Sequence, residues 1–432
     1  MNADRTIAKH TARVTAANVL GTIISLVFSV LFAKLFGTTA DADSYALAMI
    51  IPNVAYGLSN ALFFTPVIFY AGKLLAEKKQ KEATQFLASS IALSAGLFFG
   101  VGVLLFIISR ILFAMTSPIP SSLLFVVSMT VPVLAILSVL NATLHTHNHF
   151  FIGHSMRIFS MLGATIGILL FPNIHSAAIG YLAGCLAAVA LEAIVAIQHH
   201  YVTRSSSYGQ SLAHVLKNLF QFGTPLLIGS LVYYLWRSLP LVLAIHISEG
   251  SAALWSYMAA VFFALPPLLT EPAGTVLYPQ LARDKSSGSI HSVWRAMILS
   301  VSILIPLSIV LYTFAPHIVT FLFQRGAFSA SDSAAGAQIL SLLSISLPAL
   351  GVQGLLLAVF TAYGRPWLHA GTLVLNLLFV ALFTQLFQPI TTTTLALSVV
   401  SSLWIATAFS LLAVRNLLSI NPHLKTSDAS PS

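Results

Sequence analysis

The chain has 432 residues, 57% of them hydrophobic and only 7% charged, with a mean hydropathy of +0.92. A soluble domain carries about 25% charged residues, so this chain cannot cover a water-facing surface, and lipid must be its solvent. The net charge of +9 does not point to nucleic acid, because the basic residues form no stripe; they punctuate apolar runs, as membrane topology requires.

A spanning helix needs about 20 mostly apolar residues. Twelve runs qualify: 14–36, 44–71, 86–109, 121–144, 152–172, 177–198, 222–247, 252–280, 295–316, 336–363, 370–389 and 394–415. The N-terminus, "MNADRTIAKHTARVTAANVLGTIIS", has no short apolar core before a small-residue cleavage site and is expected to be retained. The prolines within runs include Pro52, Pro66, Pro132, Pro225, Pro240, Pro306 and Pro348. Broken helices are tolerated at membrane depth where protein or a water-filled cavity meets the freed backbone groups. So many of them favour a moving, cavity-lined transporter over ordinary kinks in a packed bundle. The one cysteine, Cys185, lies inside a run, which excludes a disulfide framework or a cysteine metal quartet within the chain.

Lys and Arg set the orientation. With the N-terminus inside, sixteen of the twenty fall on inner segments, from Arg5, Lys9 and Arg13 through Lys73, Lys78, Lys79, Lys81 and Arg157 to Arg415 and Lys425. Arg110 and Arg325 fall outside, with Lys34 near them, and Arg237 alone is left in mid-membrane. Both termini are therefore expected in the cytoplasm of a multi-pass inner-membrane protein.

The chain also looks duplicated. "TVPVLAILSVLNATLHTHNHFF" resembles "SLPALGVQGLLLAVFTAYGRPW", with Pro132 and Pro348 in register, and the offset is six helices. An even offset keeps both copies pointing the same way. The expected fold is an all-α polytopic membrane protein of about 12 transmembrane helices. They form two parallel six-helix lobes around a central cavity, residues 1–210 and 211–432, with the substrate site between them.

Enzyme motifs are missing. There is no GxxxxGK[ST] and no HExxH, so no catalytic residue, no cofactor and no metal are expected. "HTHNHFFIGH" (His145, His147, His149, His154) has no carboxylate or cysteine support and reads as a polar loop at headgroup level. The intramembrane ionisable groups are Arg237, Glu192 and Glu271, with Asp41 and Asp43 at the mouth of the second run. Such groups mark a substrate or ion path, or pair with one another. Arg237 therefore has two readings: a structural pair with Glu271, or a cation for an anionic substrate, since a guanidinium takes a phosphate bidentately. Asp43, Glu271 and Glu192 are candidate ion-coupling carboxylates; Asp43 also suits a helix cap. Ser329 and Asp332 resemble a capping box.

"AKLFGTTADADSYALAMIIPN" (33–53), "LNATLHTHNHFFI" (140–152), "TVLYPQLAR" (275–283) and "FLFQRGAFSASDSA" (321–334) resemble the MurJ/MviN family of lipid II flippases, in the multidrug/oligosaccharidyl-lipid/polysaccharide exporter superfamily. The resemblance implies two lobes across a cationic cavity that carries an undecaprenyl-diphosphate-linked peptidoglycan precursor by alternating access. Position by position, Lys34, Asp43, Pro52, Asn53, Gly326 and Phe328 match the family pattern. The cavity arginines depart from it. The first falls at Asn18, a pair falls at Tyr56 and Gly57, and the Asp-Arg and glutamate of the eighth helix fall at Ala259, Ala260 and Phe263. The family's last two helices are not found among the twelve. Arg237, Asn18, Asn53 and Lys34 are thus the candidate substrate-binding residues, with Arg237 as a relocated cation. The resemblance makes the partners a lipid-linked oligosaccharide or peptidoglycan precursor and membrane lipids, with no nucleic acid, and a monomer is expected. A flippase for another polyprenyl-linked glycan, a drug exporter and a non-transporting membrane scaffold are the alternatives.

Overall fold

The computed structural model describes residues 2–116, 119–202, 212–269, 287–363 and 365–419. Every regular element among them is a helix. Contacts divide the chain into two units, Met1–Tyr234 and Leu235–Ser432.

The twelve runs reappear with unequal lengths. Among the described residues nine helices are long and apolar enough to cross a membrane, and a tenth span is a pair bent by 47°. The run at 152–172 gives a shorter apolar helix, Ser155–Leu170; of the run at 252–280 the part beyond residue 269 lies outside the described residues.

In the first unit, α1 (Asn2–Phe36) stops at Gly37, which takes a positive φ of 57° and returns its N–H to the Ala33 carbonyl at 2.8 Å. Only glycine adopts that left-handed cap without strain. The second run is not one helix. It is α2 (Ala40–Ala48), α3 (Ile50–Ser59), a π-helical turn at Asn60–Phe64, and α4 (Thr65–Ala76) headed by Pro66. The turn is held by α6 (Ser121–Thr146): Ser138 Oγ donates to Asn60 Oδ1 at 3.0 Å and lies 2.8 Å from Ser59 Oγ. α5 (Gln80–Thr116) packs on α6.

α7 (Ser155–Leu170) and α8 (Ile174–Gln198) meet backbone to backbone. A Cβ added to Gly163 would lie 2.1 Å from the Gly180 carbonyl, and one on Gly184 would lie 2.1 Å from the Phe159 carbonyl. In lipid no hydrophobic force joins helices, so close approach through small residues does it instead.

The second unit begins within α9 (Leu212–Ala244) and continues through α10 (Ser251–Leu269), α11 (Ser287–Phe323), α12 (Ala330–Ser344), α13 (Leu347–Ala362), α14 (Pro366–Leu386) and α15 (Thr392–Ser419). Its core joins Val293 and Met297 of α11 to Leu355, Val359 and Phe360 of α13 and Val414 of α15. α12 opens on the expected capping box, with Ser329 Oγ accepting from Asp332 N–H at 3.1 Å and Asp332 Oδ2 accepting from Ser329 N–H at 2.8 Å.

The break between α12 and α13 has a legible cause. Pro348 has no N–H to give to the carbonyl four residues back. That carbonyl, of Ser344, accepts from Ser308 Oγ of α11 at 2.7 Å, and Trp404 Nε1 of α15 donates to the next one, of Ile345, at 3.2 Å. The arrangement is reciprocal. Pro316 of α11 frees the Tyr312 carbonyl, which Ser341 Oγ of α12 approaches at 3.3 Å. A buried polar ladder adds to this. Gln353 Nε2 donates to Thr407 Oγ1 at 3.0 Å, and Asn376 Nδ2 donates to Gln353 Oε1 at 3.0 Å.

Candidate functional site

Arg237 stands on α9 with its side chain exposed, two residues into the second unit. Its guanidinium carbon lies 4.3 Å from the centre of the Phe263 ring on α10. A ring face attracts a cation but accepts no conventional hydrogen bond, so Phe263 uses up none of the five donors. The recess beside them is lined by Trp236, Pro240, Trp255, Leu343 and Val399 and measures about 10 Å³. That is room for about one water, so the recess itself holds no headgroup. Glu271, the other half of the structural pair considered for Arg237, lies outside the described residues, as does "TVLYPQLAR".

Phe263 sits where the resembled pattern has a glutamate, and Ala259 and Ala260, one turn away on the same helix, sit where it has Asp-Arg. Arg237 of α9 therefore lies beside the stretch of α10 where the resembled pattern carries charge.

The other candidates are dispersed. Lys34 is exposed in the last turn of α1 and Asn18 is half-buried sixteen residues earlier, so at 1.5 Å per residue they are about 24 Å apart along the axis. Asn53 is exposed on α3, next to the buried Pro52. Asp43 is buried in the first turn of α2, where a carboxylate favours the helix dipole. It is not the cap: that role falls to Thr39, whose hydroxyl accepts from Ala42 N–H at 3.5 Å. Glu192 is wholly buried on α8, and its Oε1 accepts from Ser155 Oγ at 2.8 Å, at the head of α7.

Two family-like motifs are explained by packing. Gly326 has a φ of 65°, and the turn it makes returns Phe328 into an aromatic cluster, 5.7 Å from Phe323 and 5.9 Å from Tyr257. In the first unit the histidines gather around Tyr201. His147 stacks on its ring at 3.6 Å, and His149 Nε2 lies 3.1 Å from its hydroxyl. Among the described residues no group of three or more His, Cys, Asp or Glu is arranged to hold a metal ion.

One residue was undervalued by sequence reasoning. Arg157, read as an inner-edge topology charge, lies along α1: its stem covers Gly21 and its Nε donates to Ser25 Oγ at 3.2 Å. The signal was available in α1, where Asn18, Gly21, Thr22, Ser25 and Ser29 fall on one helical face.

Comparison with known proteins gives a fold and a family. The solved structure of "Lipid II flippase MurJ, inward closed conformation" matches with a TM-score of 0.78 at 19% identity, over 93% of this chain and 87% of that one. An inward-facing multidrug resistance MATE family transporter of the MOP superfamily matches at 0.76 and 12% identity, over 95% and 100%. The Vibrio cholerae MATE transporter VcmN, as a mutant, matches at 0.69 and 15% identity, over 98% and 99%. At these identities the likeness is one of fold. Among curated proteins no sequence matches this chain. The family profile described as "Lipid II flippase MurJ" matches residues 32–427. This multi-pass membrane protein, whose relatives are transporters and not enzymes, belongs to the lipid II flippase MurJ family.

Proposed function

We propose that the protein translocates an undecaprenyl-diphosphate-linked peptidoglycan precursor, lipid II, across the bacterial cytoplasmic membrane by alternating access. The family match supports the substrate class. The observation that carries the reading in this chain is Arg237: a permanent cation within an apolar helix, seated over Phe263 of α10. An arginine at such depth costs several kcal/mol unless it serves an anion or a partner. A diphosphate is a suitable anion, because a guanidinium meets two of its oxygens at once. Asn18, Asn53 and Lys34 are the further polar groups on the path. Asp43, Glu192 and Glu271 are the candidates for coupling to a proton or cation, with both termini in the cytoplasm.

The test is rescue. A bacterium depleted of its resident lipid II flippase expresses this chain, and lipid II on the outer face is assayed. The expected result is restored exposure, lost at least tenfold in Arg237→Ala at an unchanged level of folded protein. Disappearance of the variant from the membrane would assign Arg237 to structure. No exposure from well-inserted, unmodified protein would remove lipid II and leave another polyprenyl-linked glycan, or a scaffold, as the function.

A further inference from the structure

The first unit holds a second cation at membrane depth. The α1 span runs from Thr15 to Phe36. Ser25 is its eleventh residue, so it lies about 15 Å from either end at 1.5 Å per residue. Arg157 Nε reaches it at 3.2 Å, while Ser25 Oγ spends its own proton on the Gly21 carbonyl at 2.7 Å. The absence of a side chain at Gly21 makes room for the arginine stem: a Cβ there would lie 3.2 Å from Arg157 Cδ. An arginine at the head of an apolar helix in a membrane ordinarily turns its head group to the nearest interface. This one runs from Gly21 on to Ser25, into the middle of the span.

The faces involved exclude lipid as its neighbour. On α1 the exposed apolar residues at the level of Ser25 are Leu20, Ile23 and Val27. At 100° per residue they lie about 160° round the helix from Asn18, Thr22, Ser25 and Ser29. On α7 the exposed apolar residues are Leu162, Ile166, Leu169 and Leu170, and Arg157 leaves that helix about 120–180° away from them. Both helices therefore turn their apolar stripes outward and put the guanidinium, itself exposed, on the polar side. An exposed charge at mid-span that is turned away from lipid is open to water or a ligand besides its protein neighbours.

We propose that Arg157, oriented by Ser25 and lying on the Asn18–Ser29 stripe, is an anion-binding residue of the first unit that takes a phosphate group of the lipid-linked substrate. The identity of the ligand rests on the flippase reading; the existence of the site does not.

The test uses the full-length protein in phosphatidylcholine nanodiscs, with labelled farnesyl diphosphate as the probe. Arg157→Gln keeps a hydrogen-bond donor for Ser25 and removes the charge; Ser25→Ala removes the bond and keeps the charge. The expected result is at least a tenfold loss of affinity in Arg157→Gln, with Arg157→Lys and Ser25→Ala within about threefold of the unmodified protein. All variants are checked for monodispersity. Competition by inorganic pyrophosphate supports the site and assigns it to the phosphates alone. Equal affinity in Arg157→Gln, no binding by the unmodified chain, or a loss in Ser25→Ala as large as in Arg157→Gln overturns the proposal, the last by making Arg157 a clamp between helices. Displacement by phosphatidylglycerol at equal concentration also overturns it, since bulk lipid would be the occupant. Rescue separates this proposal from the flippase reading. Binding that depends on Arg157 without rescue by the unmodified chain keeps the site and removes lipid II. Rescue by the unmodified chain and by Arg157→Gln alike keeps lipid II and removes the site.

Discussion

A methyl group at Gly57 would lie 1.8 Å from Cε2 of Tyr234. The ring of Tyr234 thus occupies the space where a side chain at 57 would begin, and the resembled family pattern places one of its arginine pair at this position. Restoring that arginine is not a local change, because the ring must leave first. Gly57→Ala should cost about 1–3 kcal/mol through overpacking. Gly96→Ala, with open space around it, should be neutral or gain about 0.4–1 kcal/mol by restricting the unfolded chain. Thermal unfolding of the two variants in one detergent decides it. The histidine cluster gives a pH prediction. Burial, then His199 and His147, hold the His149 imidazole below its ordinary value of 6.5. A depressed histidine favours the neutral form in the fold, so stability is full above about pH 6.5 and falls as the pH drops from there to the folded value. The apparent melting temperature should decline over that window, and the decline should shrink in His149→Gln. The candidate site was partly legible at this scale. Arg237 stood out because nothing charged surrounds it in sequence. Arg157 did not, because its partner Ser25 is 132 residues away and its charge fitted the inner-side pattern equally well.

At the scale of elements, proline and serine work as pairs. The Ser344 carbonyl that Pro348 frees has no water to turn to inside a bilayer, and Ser308 supplies the missing donor. Ser308→Ala should cost about 1–3 kcal/mol, the desolvation penalty of an unsatisfied buried carbonyl. Ser308→Thr, which keeps the hydroxyl, should recover most of it, as read by thermal unfolding. The sequence disclosed that helices would break, since prolines sit in the runs, but not how the breaks are healed, which depends on a facing helix. It disclosed the start of α12, because Ser329 and Asp332 cap within four residues. It did not disclose the π turn at Asn60–Phe64, where Ser138, far along the chain, fixes the geometry. Nor did it separate the short α7 from a full span: the apolar run continues through Ile152 into a 3₁₀ turn, and hydropathy does not register the change of helix type.

For the whole molecule, orientation is the first thing to measure, and the chain is built for it. Cys185 is its only cysteine and is fully buried in α8, so a membrane-impermeant maleimide should leave the native protein unlabelled. Lys81→Cys, in the first turn of α5, and Ala327→Cys, in the turn before α12, are at exposed positions near opposite ends of the expected spans. In intact cells the impermeant reagent should label Ala327→Cys and spare Lys81→Cys, with Lys81→Cys labelled only after lysis. The reverse pattern would invert the topology read from the sixteen inner charges. The architecture was open to sequence reading because lipid imposes helices and length; the proposed path was not, because the polar groups assigned to it come from different helices.

The contact between α7 and α8 has a mechanical meaning. Helices that touch through side chains can absorb a push by changing rotamers, and the force is lost on the way. Where Gly163 and Gly184 bring main chain against main chain, there is nothing soft to compress. The pair moves as a stiff rod or not at all. Arg157 and the Ser155–Glu192 bond are at the same end of that rod, so a ligand that tugs on the arginine displaces the buried carboxylate with it, and the far end some 20 Å away feels the same stroke.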